Sequence, residues 1–133
     1  MTEISGISVL HVDDDPAFVD LTADMLAEQA GEFIVETATS ASEGLDLLAT
    51  TDFDCIVSDY QMPAISGLDF LSAIREEDAT TPFIVFTAKG SEEIASKAIA
   101  TGVSDYVQKT PETDQYRTLV DRIRRAVDAA GEA

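Results

Sequence analysis

The chain is 133 residues long and has one cysteine, one histidine, three lysines and no tryptophan. A lone thiol closes no internal disulfide, which excludes a disulfide-stapled scaffold. Cys55 stands inside an apolar run, where a buried structural thiol is expected. Basic side chains are scarce: 8 lysines and arginines face 26 aspartates and glutamates, a net charge of −18. Such a surface repels phosphates and argues against direct contact with nucleic acid. No apolar run approaches the ~20 residues that a membrane helix requires. Met1-Thr-Glu-Ile-Ser-Gly6 carries no basic stretch of the kind that opens a signal peptide. A soluble, cytoplasmic protein without a membrane partner is expected. An acidic, lysine-poor surface suits a salt-rich cytoplasm, where self-repulsion is screened, and so points to a halophilic source.

Hydrophobic residues make up 45% of the chain, enough to fill the core of one domain. They recur as five strand-like runs alternating with helical ones. The expected strands are Ile7–Val12, Phe33–Ala38, Asp54–Ser58, Pro82–Phe86 and Ser104–Gln108. Between them lie helical patterns, each with a start signal. Asp15-Pro16 is an N-cap followed by proline at the first helical position, and Phe18, Leu21, Met25 and Leu26 follow at helical spacing; Ser40 or Ser42, and Ser91, cap later helices. Gly67–Glu76 is a further helix, and Gly31 and Gly102 mark helix ends. The last helix carries Tyr116, Leu119, Val120, Ile123 and Val127 on one face. Strict alternation implies a parallel sheet covered on both faces by right-handed crossovers. The expectation is a single α/β domain over residues 1–133, with its core at about 6–130: a (βα)₅ doubly wound, flavodoxin-like fold of strand order 2-1-3-4-5. No basic helix-turn-helix follows residue 130, so no output domain is expected.

That order makes the first and third strands neighbours and puts their carboxyl ends at a topological switch point, where such folds bind ligands. Asp13-Asp14-Asp15 closes the first strand and Asp59 the third. Asp13 and Asp14 suit a hard cation such as magnesium, which takes one or two protein carboxylates and fills its shell with water and phosphate oxygens. Asp15 reads as the helix cap. Asp59 stands alone in its turn and suits a nucleophile, since carboxylates form aspartyl phosphates. A phosphoryl group there calls for a cation and a hydroxyl to answer its charge. Thr87, after the fourth strand, and Lys109, after the fifth, reach the same rim.

Val12-Asp13-Asp14-Asp15, Ser58-Asp59-Tyr60-Gln61-Met62-Pro63, Ser66-Gly67, Phe86-Thr87-Ala88, Asp105-Tyr106 and Lys109 stand in this order along the chain. This set resembles the response-regulator receiver domain of two-component signalling, over nearly the whole length. The resemblance, with the acid excess, suggests a receiver from a halophilic archaeon. It implies Asp59 as phosphoacceptor and a Mg2+ or Mn2+ ion held by Asp13, Asp14, Asp59 and the backbone carbonyl of Gln61. It also implies Lys109 as the phosphate-pairing lysine, Thr87 as the switch hydroxyl and Tyr106 as the aromatic coupled to it. The implied partners are a sensor histidine kinase or phosphotransfer protein as donor, and a downstream protein read on the face of the fourth helix, fifth strand and fifth helix. The implied protein is a phosphoacceptor that catalyses its own phosphorylation and dephosphorylation rather than an enzyme acting on others. The family has proline directly after the lysine, often with a cis bond. Here the order is Lys109-Thr110-Pro111, and a cis bond at Lys109–Thr110 costs about 3 kcal/mol without proline.

Two other classes compete. A haloacid-dehalogenase-type phosphohydrolase also uses a strand-end Asp-x-Asp, with Asp13 as nucleophile, but then Asp59 has no role and no later acidic pair completes a metal site. A flavodoxin-like electron carrier needs a loop after the first strand that cradles phosphate, and three aspartates there repel one. His11 shares its strand face with Ile7 and Val9 and reads as a core histidine. Arg122, Arg124 and Arg125 read as a stretch in favourable pairing near a helix C-terminus, or as a docking contact.

Overall fold

Short runs rich in β-branched and aromatic residues form the sheet: β1 (Ile7–Val12), β2 (Phe33–Ala38), β3 (Cys55–Ser58), β4 (Phe83–Thr87) and β5 (Asp105–Gln108). The computed structural model describes residues 6–78, 80–88 and 92–131, and of Glu92 the backbone alone. All strand pairs are parallel and the order is β2-β1-β3-β4-β5, as the alternation requires. The inner strands β3 and β4 are buried at every position, as expected of a parallel sheet covered on both faces. Four strand boundaries differ from expectation by one residue. Asp54, Pro82 and Ser104 lie just outside β3, β4 and β5, and Thr87 is still inside β4, paired with Gln108. Its carbonyl accepts the Lys109 N–H at 2.8 Å, so the ladder runs to the rim of the site.

Five helices connect and follow the strands: α1 (Pro16–Gln29), α2 (Ala41–Thr50), α3 (Gly67–Arg75), α4 (Glu92–Thr101) and α5 (Asp114–Gly131). Asp15 caps α1, its carboxylate accepting the Phe18 N–H. Ser40, rather than Ser42, caps α2 and accepts the Glu43 N–H, while the Glu43 carboxylate reaches back to the Thr39 N–H. Ser66 caps α3. The expected cap of α4, Ser91, lies outside the described residues. Gly31 does not end α1 as a left-handed glycine. The helix stops at Gln29, and Ala30 turns the chain in extended conformation, its N–H still bonded to Leu26. Gly102 does end α4, at a φ of 102°. Among the described residues no helix is long and apolar enough to cross a membrane.

Alternation along each strand divides the core into two layers. Val9, Val57, Phe86 and Val107 face α1 and α5, meeting Leu26, Tyr116, Leu119 and Ile123. Leu10, Ile56, Phe83 and Val85 face the other side, meeting Ala41, Phe70, Leu71, Ile74 and Ala98. Cys55 is fully buried, and burial pushes its thiol up to about 12, so it is unreactive in the native state. His11 is a core histidine. It is fully buried, with its ring 6.0 Å from Phe18 and 6.2 Å from Phe86. Burial, with the Lys109 cation nearby, lowers its pKa to about 3, so it is neutral at pH 7.

One close contact ties this scaffold to the rim. Gly67 opens α3 directly against the turn after β3, its N–H bonded to the Tyr60 carbonyl at 2.7 Å. A Cβ there would lie 2.2 Å from the Asp59 carbonyl oxygen and 3.0 Å from the Tyr60 Cα. Both are backbone atoms, so the strand end itself would have to move. Gly67→Ala is expected to cost ~1–3 kcal/mol and to lower the melting temperature by roughly 5–10 °C. An unchanged melt would show that the turn yields freely. His11 gives a second expectation. Below pH 6.5 the unfolded chain binds a proton on this residue that the native state refuses until about pH 3. Its contribution to stability is intact above pH 6.5 and falls as pH drops toward 3. By pH 5 the loss is about 2 kcal/mol. Denaturant titrations of wild type and His11→Leu at pH 7 and pH 5 isolate this term: the wild type should lose about 2 kcal/mol more than the variant. Parallel pH profiles would contradict it.

Candidate functional site

The carboxyl ends of β1 and β3 lie side by side because Val12 pairs with Ser58. Asp13 follows one and Asp59 the other, and Asp59 N–H donates to the Val12 carbonyl at 3.0 Å. Asp13, Asp14 and Asp59 each offer a carboxylate oxygen within 4.8 Å of the others. Asp13 is 1% exposed and Asp59 8%, whereas Asp14 faces solvent. Asp15, expected as the cap, is turned to that task, and its own N–H donates to Asp13 Oδ1 at 3.0 Å. Gln61 sits in the turn beyond Asp59, its N–H 3.4 Å from Asp59 Oδ1.

Lys109 enters from the end of β5. Its ammonium donates to Asp13 Oδ2 at 2.5 Å and to Asp59 Oδ2 at 3.3 Å. Residues separated by 96 and 50 positions in sequence thus meet in one ion-paired group. The chain after β5 reaches this position without an X-Pro bond at residue 110. Thr110 keeps an N–H that a proline lacks, and the buried Gln115 side chain accepts it at 2.9 Å. Among the described residues every peptide bond is trans. Thr87 is 1% exposed at the adjoining end of β4, and Tyr106 is half-buried in β5, opposite Val85.

Burial raises the Asp13 pKa, and the hydrogen bond and charge of Lys109, with the hydrogen bond from the Asp15 backbone N–H, work against that rise. Three carboxylates against one ammonium leave two formal negative charges in the group. A divalent cation matches that charge, and the spacing of the oxygens suits a small hard ion with water in its remaining positions. The residues present therefore fit magnesium or manganese.

The expected site residues Asp13, Asp14, Asp59, Gln61, Thr87 and Lys109 all lie at this rim. Two contributors escaped the sequence reading. Gly67 was legible only as part of a motif, and Phe18 only as a core position of α1. The arginines do not act at a helix C-terminus, because the last turn of α5 holds no basic residue. They pair with acids instead: Arg122 with Asp105 at 2.8 Å, Arg124 with both oxygens of Glu32, and Arg125 with Asp121 one turn before it.

Residues 9–121 match the family described as the response regulator receiver domain. Among curated relatives, the transcriptional regulatory protein FixJ of Bradyrhizobium diazoefficiens is 32% identical over 120 residues. That alignment covers 90% of this chain and 58% of FixJ, so the chain spans little more than half of that relative. Among solved structures, a CheY-like receiver domain protein of Methanospirillum hungatei is 26% identical with a TM-score of 0.84, covering 96% of this chain and 98% of that one. TrrA of Thermotoga maritima, solved in complex with Mg2+ and BeF, is 26% identical with a TM-score of 0.75, covering 88% and 98%. These likenesses favour the receiver over the haloacid-dehalogenase reading, and they agree with a geometry in which Asp13 is buried against a lysine. The chain belongs to the response regulator receiver domain family, with its aspartate cluster at the phosphorylation site.

Proposed function

We propose that this chain is the phosphoacceptor module of a two-component relay and that Asp59 carries the phosphoryl group. The supporting observation is the Lys109 ammonium spanning Asp13 and Asp59 at the switch point of the sheet. In the proposed step, an Asp59 carboxylate oxygen attacks phosphorus on a phosphohistidine of a sensor kinase or phosphotransfer protein. The P–N bond breaks, the acyl phosphate P–O bond forms, and the departing imidazole keeps the electron pair and takes up a proton. Asp13, Asp14, Asp59 and the Gln61 carbonyl would hold Mg2+ or Mn2+. When bound, the ion supplies charge neutralisation and orients the phosphate oxygens. Lys109 turns from its carboxylate partners toward the new phosphate, a stronger anion. The Thr87 hydroxyl finds there a charged acceptor.

The consequence is a change of surface. Tyr106, packed beside the cluster that holds Ala98, turns further inward as Thr87 moves. A groove lined by Tyr106, Gln108, Gln115, Thr118 and Arg122 lies between β5 and α5, and Ile99 on the nearby α4 is 71% exposed. A partner that prefers the altered α4–β5–α5 face shifts the equilibrium further. The net charge of −18 keeps this output protein-directed rather than nucleic-acid-directed, and suits a halophile's cytoplasm. In this reading the chain catalyses its own phosphorylation and dephosphorylation.

Intact-mass analysis after incubation with acetyl phosphate tests the assignment. One phosphate should appear with magnesium and none after chelation, and Asp59→Asn should remain unlabelled. Labelling that persists in Asp59→Asn would falsify it.

A further inference from the structure

We infer that Phe18 is a positioning residue for the phosphate-pairing ammonium, holding Lys109 over the face of its ring; this rests on the phosphoacceptor reading above. The Lys109 Nζ lies 4.4 Å from the Phe18 ring centroid and 6.0 Å from that of Phe86. Phe18 is not a loose side chain. Its ring stands 5.8 Å from Phe86 and 6.0 Å edge-on from the fully buried His11. Its backbone is fixed by the α1 cap, the Phe18 N–H bonding to Asp15 Oδ1 at 3.2 Å and to the Asp15 carbonyl at 3.1 Å. Two aromatic rings, Phe18 and Phe86, with His11 beside them, therefore stand next to the Lys109 ammonium.

The chemistry of these rings differs from that of the carboxylates. A ring face attracts an ammonium through its quadrupole and is strongest when the pair is partly desolvated, as here, where the Lys109 side chain is 16% exposed. It uses none of the oxygens that a divalent cation needs, and it leaves the ammonium charged. Lysine otherwise presents a flexible four-carbon stem with much rotamer freedom to lose. Asp13 and Asp59 restrain it only while their oxygens are free for it. The ring restrains it throughout, so the ammonium stays within reach of Asp59 when the phosphoryl group arrives. The segment after β5 is held through the Thr110 N–H and Gln115, while the ring beside the Lys109 ammonium comes from a separate element, α1.

Two measurements on the intact chain test this. In ¹H–¹³C spectra the Lys109 ε-methylene should resonate upfield of the other lysines through the ring current of Phe18, and should move back in Phe18→Leu. Under saturating magnesium, Phe18→Leu should be phosphorylated by acetyl phosphate about five- to thirty-fold more slowly than wild type. Phe18→Tyr, which keeps the ring face, should restore both signals. Melting curves separate this from simple core loss: Ile123→Val, a core change on α5, should keep the wild-type rate although its melt falls, whereas Phe18→Leu should be slow. An unshifted Lys109 methylene in wild type, or equal rates in Phe18→Leu and wild type, would overturn the inference. A wild-type chain that takes no phosphate would instead overturn the phosphoacceptor reading and the role with it, while the ring-current shift would still report the contact by itself.

Discussion

Two carboxylates buried at the ends of adjacent strands are what the rest of this structure has to accommodate. Asp13 and Asp59 are nearly inaccessible to water, and isolated charges in such a place are costly. One ammonium answers both. Almost every feature of the rim follows from getting Lys109 there. β5 must run parallel to β4 to its last residue, Thr87 must accept its backbone N–H, and Gln115 must take up the N–H of Thr110. The compensation is partial by construction. With Asp14 beside them, the carboxylates still outnumber the cation, and the group favours added positive charge. A site that a single lysine neutralised fully would have little use for a metal, and one without the lysine would resist burial.

The architecture was legible because each level of the sequence agrees with the next. Val9 and Leu10 alternate between layers, Asp15-Pro16 starts a helix, and Gly102 ends one. The strand order then brings Asp13 and Asp59 together by topology alone. What could not be read was finer than the pattern. A one-residue shift of β4 is invisible when the whole run Phe83–Thr87 is buried, since periodicity carries no boundary there. Gly31 looked like a helix terminator by type, yet Ala30 does the turning in extended conformation. The arginines of α5 were read against the dipole of their own helix, but their partners come mainly from other elements, Asp105 of β5 and Glu32 before β2. Partners so distant in sequence leave no local trace.

The site shows the same division. Residue type and strand-end placement predicted that Asp13, Asp14, Asp59, Thr87 and Lys109 meet at one rim, and the fold brings them there. Gly67 and Phe18 meet the site through contacts that only folding creates: a backbone approach too close for a Cβ, and a ring beside an ammonium 91 residues away in sequence. Phe18 sat in an apolar helical pattern and looked like one more core position. Proline displaced to residue 111 was the one visible departure from the family's pattern, and the fold absorbs it through the Gln115 side chain rather than through an altered bond.

Asp59 as acceptor of the phosphoryl group and Lys109 as its partner stand or fall on one structure. A crystal structure of the chain with magnesium and beryllofluoride tests both at once. Beryllium should be bonded to an Asp59 carboxylate oxygen, with the Lys109 ammonium about 3 Å from a fluorine. An adduct on Asp13, or a Lys109 side chain turned away from the fluoride, would contradict this assignment.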